Sequence, residues 1–211
     1  MKKINKILSA AFTLFALNAN SQQLPVQACD PEIVEENREP MHAHWFVYDK
    51  IQNAKADNEI SDYYLSLNGK WKFFFAENPS KVPQGFENKD FDDSPWGQIP
   101  VPGDWQMNGY GFPVYTNVSY DFSWDPQPPE VPFENNWTGV YRKVISLPQT
   151  FDNKEVILSI GGARSAVFVY VNGKYAGYSE DSKLCAEFNI TKFLQKGENL
   201  LTFKMLRWSN A

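Results

Sequence analysis

"EVILSIGGARSAVFVYVNGKYAGYSE", Glu155 to Glu180, is the stretch whose reading decides the fold. Its apolar residues fall in short runs separated by Gly161-Gly162 and Asn172-Gly173. Asn-Gly suits a two-residue hairpin turn in which both central residues take positive φ. The runs therefore read as consecutive antiparallel strands. The middle one sends Val167, Val169 and Val171 to one face, the alternation of a half-buried strand. The same texture extends outward in both directions from Tyr63 onward. Upstream, "GVYRKVISLP" alternates bulky and polar positions from Tyr141 to Leu147 and stops at Pro148, while "YLSLNGKWKFFFA" sets the turn dipeptide Asn68-Gly69 among strand formers. Downstream, a short helical turn around "ITKFLQKGEN" precedes "LLTFKMLRWS", which points Leu201, Phe203 and Met205 inward. Short apolar runs cut by Pro, Gly, Asn and Asp are the pattern of a sandwich or barrel.

Composition agrees. The aromatic share of 16% supplies large, well-shaped contact surfaces and favours an all-β protein. A chain of 211 residues is enough for one principal core and short for two. Residues 22–62 read as an extended arm that could not fold alone, with one or two helical turns in "CDPEIVEENREP" and a loop or short helix in "KIQNAKADNEIS". Ahead of it, "MKKINK", the apolar run "ILSAAFTLFAL" and the small residues of "NANSQ" have the three-part form of a secretory signal peptide over residues 1–21. That apolar run is shorter than the roughly 20 residues needed to span a bilayer, and "VQAC" at Cys29 is a poor site for lipid attachment. The expected location is secreted or periplasmic.

Net charge is −5, and no basic run follows the first residues, which argues against nucleic acid as a partner because phosphate binding needs a concentrated positive patch. Cys29 and Cys185 leave room for one bridge in an oxidising compartment, with two unpaired thiols the favoured reading. His42 and His44 have no companions at zinc-ligand spacing.

Between residues 96 and 138 lies a long aromatic segment without strand texture, and loops of such length usually have a task. Rings of Trp105, Tyr110, Tyr115, Trp124 and Trp137 could stack on the C–H faces of a sugar, and Gln106, Asn108 and Asn117 offer the paired donors and acceptors that hydroxyls require. For any one of these rings, packing over the end of the sheet is the favoured alternative.

Several motifs taken in order, "SLNGKWKFFF", "IPVPGDWQMNGYGFPVYTNVSYDF", "PPEVPFENNWTGVYRKVISLP", "VFVYVNGKYAGYSEDSKLCAEFNITKFLQKGEN" and "LLTFKMLRWS", resemble the amino-terminal sugar-binding domain of family-2 glycoside hydrolases. The continuous "VYTNVSYDF" and "AGYSEDSKL" segments are similar to its lac-type β-galactosidase branch, and the resemblance runs from about Asn37 onward. It implies a galactose-binding-domain-like jelly-roll β-sandwich over residues 63–211. It also implies a retaining glycosidase in which two glutamates, acid/base and nucleophile, flank the glycosidic bond. In the family those glutamates belong to a barrel downstream, so no catalytic residue is expected in this chain. Glu180 and Asp181 point to opposite faces and read as solvated or turn-stabilising acids.

The resemblance further implies that Asn117 of "YTNV" stands beside the galactosyl ring, with Val118 adjoining it. The family carries an aspartate after "RWS" that binds a sugar hydroxyl and sodium; here that position is Asn210, an amide that can ligate a hard cation but brings no charge. Magnesium and sodium are the cations of the family. On this basis the chain is expected to be the carbohydrate-binding portion of a β-galactosidase, inert alone, whose partners are a β-galactoside and the enzyme's remaining domains or subunits. Two other roles share the same loop: a free-standing carbohydrate-binding module, and an arm-bearing piece that complements an enzyme lacking it.

Overall fold

The computed structural model describes residues 24–56, 59–115, 117, 123, 125, 127 and 129–210. In chain order the strands are β1 (Glu35–Glu36), β2 (Gly69–Ala76), β3 (Gly97–Val101), β4 (Thr138–Ser146), β5 (Ile157–Ile160), β6 (Ala166–Val171), β7 (Lys174–Ser179), β8 (Ala186–Asn189) and β9 (Glu198–Leu206), with one short helix, α1 (Ile51–Lys55), between β1 and β2. Seven of them form an antiparallel sheet in the order β1-β7-β6-β9-β4-β2-β3, and β5 pairs with β8 in a second, two-stranded sheet. The all-β jelly-roll sandwich with an extended amino-terminal arm, expected from the sequence, is what the chain forms.

The core lies between the sheets. Phe73 of β2 is opposite Tyr141 of β4, which is opposite Phe203 of β9, which is opposite Val169 of β6, so one row of bulky side chains crosses the large sheet. Leu158 of β5 and Phe188 of β8 close on that row from the other layer. At the end of the row, Gly177 lets the arm and the core approach together: a Cβ there would stand 2.6 Å from both the Glu36 carbonyl and the Phe188 ring.

β6 departs from its half-buried reading. Val167, Val169 and Val171 face the inter-sheet core as expected, but Ala166 and Phe168 on the opposite face are equally buried. The reason is the arm. Leu24, Ala28 and Ile33 lie against Phe168, Tyr178 and Leu206, and farther along the same sheet Phe86, Phe91 and Trp96 cover Val140. With both faces covered, a near-continuous apolar strand is what packing demands. Within the arm, the helical turns expected in "CDPEIVEENREP" do not form: a 3-10 turn at Val26–Ala28 precedes that stretch, and inside it β1 pairs Glu35 and Glu36 with Ser179 and Tyr178.

Asn172 and Gly173 do form the tight turn between β6 and β7, at φ 53° and 80°. Asn172 also accepts from the Leu200 N–H at 2.9 Å, which fixes the turn to β9. The other glycine pair behaves differently: Gly161-Gly162 does not join paired neighbours but carries the chain from β5 in one sheet to β6 in the other. Asn68-Gly69 likewise makes no hairpin. Gly69 has φ 109° and opens β2, while the residues before it are held by side chains, the Trp71 indole and the Lys143 ammonium both donating to the Leu67 carbonyl at 2.9 and 2.8 Å.

Candidate functional site

A cleft of about 1030 Å³ opens between the two sheets at the end where the aromatic loop folds over. Trp71, Tyr141 and Phe203 of the large sheet line one side, Leu158 and Ile160 of β5 the other, and Trp105 and Met107 the loop edge. Trp105 is 8% exposed, with its indole N–H donating to the Tyr141 hydroxyl and its ring edge-on to Phe75. Burial pushes the Tyr141 phenol far above its ordinary range, so it serves as a neutral partner. Gly139 leaves room for that indole, since a Cβ there would fall 2.5 Å from it.

The aromatic residues singled out in the sequence separate into distinct roles. Tyr110 packs edge-on to Phe73 at 4.7 Å, and Trp137 lies between Phe112 at 4.8 Å and the Arg207 guanidinium at 4.5 Å. These rings, with Trp105, fasten the loop to the sheet. Asn108 donates to the Asp104 carbonyl at 2.8 Å and shapes the turn, and Gln106 is a lining residue of the cleft. Tyr115 is 88% exposed. Trp124 lies outside the described residues.

Among the residues carried over from the family motif, Asn117 sits exposed on a bend, and Val118 lies outside the described residues. Asn210 is half-buried, and among the described residues neither its amide oxygen nor its nitrogen finds a hydrogen-bond partner. Asn117 and Asn210 are not among the residues lining the large cleft. To a cation Asn210 would offer one neutral oxygen, and among the described residues no three His, Cys, Asp or Glu side chains lie together. Both cysteines are free thiols. His42 is paired with Glu187 at 2.9 Å, and its pKa is raised by hydrogen bonding to the Ala43 carbonyl and to that carboxylate.

Glu180 corrects a sequence expectation. It is 2% exposed instead of solvated, accepting a hydrogen bond from the Tyr178 hydroxyl at 2.8 Å, while its backbone N–H donates to the Val34 carbonyl of the arm. Residues two apart on a strand share a face, so Tyr178 and Glu180 in "YSE" were the available signal. Asp181 takes the other direction, 3.8 Å from Arg38. Burial raises the Glu180 pKa, with the Tyr178 bond opposing it. A raised native pKa means the folded state holds the proton longer, so this group's contribution is fully present below the unfolded glutamate pKa and fades as pH rises through the native value. Glu180→Gln keeps an acceptor for Tyr178 and removes the charge. Its stability should therefore fall less than that of the parent chain as pH rises from acid to neutral. Parallel pH profiles of the two chains in urea denaturation would count against the buried, proton-holding role.

Such a two-layer antiparallel shell, with the arm over its back and Trp105 and Tyr110 packed at one end, is a β-sandwich. The chain belongs to glycosyl hydrolase family 2 as its sugar-binding domain, whose family model matches residues 64–211. Curated relatives are β-galactosidases: that of Priestia megaterium is 38% identical over 200 residues, covering 93% of this chain and 19% of the relative. The enzyme of Vibrio vulnificus strain YJ016 is 45% identical over 159 residues, covering 75% of this chain and 15% of the relative. Among solved structures, a Bacteroides uniformis β-glucuronidase is similar with TM-score 0.50 and 26% identity, over 68% of this chain and 14% of that one. The chain thus spans under a fifth of the length of the curated relatives it matches and corresponds to their amino-terminal sugar-binding domain.

Proposed function

We propose that this chain acts as the sugar-binding portion of a β-galactosidase that hydrolyses terminal β-galactosides, with the catalytic glutamates supplied by polypeptide outside it. The observation that carries the reading is the agreement of β-galactosidases from several genera, 38–45% identical across 75–93% of the chain. In this reading Asn117 and Val118 contact the galactosyl ring and Asn210 stands at the rim. The exposed amide of Asn117 supports it, because one amide can donate to one hydroxyl and accept from another. Export is part of the same reading, supported by the cationic and apolar leader over residues 1–21.

Three results are expected together. The purified 211-residue chain releases no nitrophenol from nitrophenyl β-galactoside. Mixing it with a β-galactosidase polypeptide that lacks the corresponding domain restores turnover. Within that mixture, Asn117→Ala raises KM about 10- to 100-fold, the cost of roughly 1.5–3 kcal/mol for a lost sugar hydrogen bond. Absence of any activity gain on mixing would sink the proposal. Micromolar binding of galactose or lactose to the lone chain in calorimetry would favour the free-standing module instead.

A further inference from the structure

The outer face of the large sheet carries two coverings, and one side chain stands between them. The arm lies on Phe168 of β6 through Leu24, Ala28 and Ile33. Segment 77–96 lies on Val140 of β4 through Phe86, Phe91 and Trp96. β9 runs between those strands, and its residue opposite both Val140 and Phe168 is Lys204. Thr202 and Leu206, its neighbours on the same face of β9, are buried, as are Val140 and Phe168. Lys204 itself is half-buried, so its stem is packed while its head stays near water.

An ammonium in such surroundings ordinarily ends on a carboxylate or a carbonyl. Lys72 and Lys143 of the same sheet do so, donating to the Asp93 carbonyl at 3.2 Å and the Leu67 carbonyl at 2.8 Å. Among the described residues Lys204 makes no hydrogen bond and no ion pair, and its nitrogen faces the Phe168 ring, 5.6 Å from the centroid. Burial pulls its pKa below the ordinary lysine value, with the Glu87 carboxylate opposing the shift. More of the amine is therefore uncharged, with its lone pair free, than at an exposed lysine. A methionine would fill the seam without leaving a charge unpaired, so packing alone does not account for an amine here.

We infer that Lys204 is a carbonyl-capturing amine, which forms a reversible Schiff base with an aldehyde entering the seam between the arm and segment 77–96. Desolvation in an apolar setting is what turns a lysine into a nucleophile of this kind. The uncharged nitrogen attacks the aldehyde carbon, the C–N bond forms, and the carbonyl oxygen takes up the proton that the nitrogen releases. That hydroxyl then gains a second proton from solvent and departs as water, leaving C=N with one positive charge. The iminium keeps the charge of the ammonium it replaces, facing the Phe168 ring and in the field of Glu87. Two sources share this chemistry, the open-chain form of an aldose and a small aliphatic aldehyde. The inference rests on the outer face of the sheet and not on the sugar contacts proposed for Asn117.

The test is reductive trapping on the 211-residue chain at neutral pH, with galactose in one arm, propanal in the other, and cyanoborohydride in both to fix each imine as a stable amine. Peptide mass spectrometry then reads the rate at every lysine. Lys204 should label at least tenfold faster than Lys174, which is exposed on β7 and serves as the ordinary amine. The aldehyde that labels Lys204 ahead of Lys174 names the source, and either one supports the inference. In urea that unfolds the chain the two lysines should become equal, because the advantage belongs to the seam and not to the local sequence. Lys204→Met should abolish the fast labelling and leave the rate at Lys174 as it was. Labelling of Lys204 no faster than Lys174 with both aldehydes overturns the inference and leaves the residue a packed stem. A fast rate that persists in urea overturns it as well, and so does fast labelling that moves to another lysine in Lys204→Met.

Discussion

Phe73→Ala should cost about 3–5 kcal/mol of folding stability, the range for emptying a fully packed phenylalanine site. Phe73 is 1% exposed in the middle of the core row, with Tyr141 at 4.8 Å beside it, Tyr110 at 4.7 Å and Trp105 at 6.2 Å above. The ring is therefore the post on which the aromatic loop rests as well as part of the sheet. Its neighbours cannot collapse into the vacancy easily, because Trp105 is tied to the Tyr141 hydroxyl and Tyr141 is itself a sheet residue. For a chain of this size each kcal/mol corresponds to roughly 2–4 °C in Tm, so a fall of about 6–20 °C is expected in calorimetry. Loss of protection should spread to residues 105–110 before the far sheet responds. Tyr115→Ala is the matched comparison: its ring is almost wholly exposed, and its stability should remain within about 0.5 kcal/mol of the parent. A change below about 1 kcal/mol for Phe73→Ala would mean that the loop is not supported from beneath as the geometry indicates.

The contrast between those two rings also marks what the sequence could convey. Alternation exposed the core face of β6 and β9, and Asn172-Gly173 announced its turn, because both depend on residues close together in the chain. A turn dipeptide specifies local φ, however, and not which strands pair across it. Gly161-Gly162 satisfies its own backbone equally well while crossing between sheets, and Gly69 takes its positive φ with no upstream strand to pair. The second face of β6 was hidden for a related reason. Its burial depends on Leu24, Ala28 and Ile33, more than a hundred positions away in a segment too polar to signal packing. At the site, composition singled out residue types and left their roles open. Trp105 and Tyr110 contact the core, and only their distances to Phe73 and Tyr141 distinguish that from stacking on a sugar. Glu180 illustrates the converse: an acid beside a second acid looks solvated until the arm is laid over it.

Arg142 poses the same problem on the outer face, and its removal should be the second large loss. Alternation along "VYRKV" places it away from the inter-sheet core, where an arginine would normally be free in water, yet it is 3% exposed. The segment 77–96 folds down over it. Its guanidinium donates to the Phe91 carbonyl at 3.1 Å and the Asn88 carbonyl at 2.8 Å, pairs with Asp93 at 3.3 Å, and lies 5.3 Å from the Phe91 ring centre and 5.9 Å from that of Trp96. One planar cation thus gathers two carbonyls, a carboxylate and two rings, a combination that a fork of fixed N–H groups can meet and a point charge cannot. Burial pulls its pKa down from the ordinary arginine value, with Asp93 opposing the shift. Arg142→Met retains the apolar stem but orphans both carbonyls. With hydrogen bonds to a charged group contributing roughly 1.5–3 kcal/mol each and Asp93 partly able to turn to water, a loss of about 3 kcal/mol is expected. Arg142→Lys should recover less than half of it. Hydrogen exchange should show the opening confined first to residues 77–96, while the β5–β8 sheet keeps its protection. Full recovery by lysine would demote the geometry to simple charge, and a uniform rise in exchange across both sheets would place Arg142 in the global core instead of in the clasp of one loop.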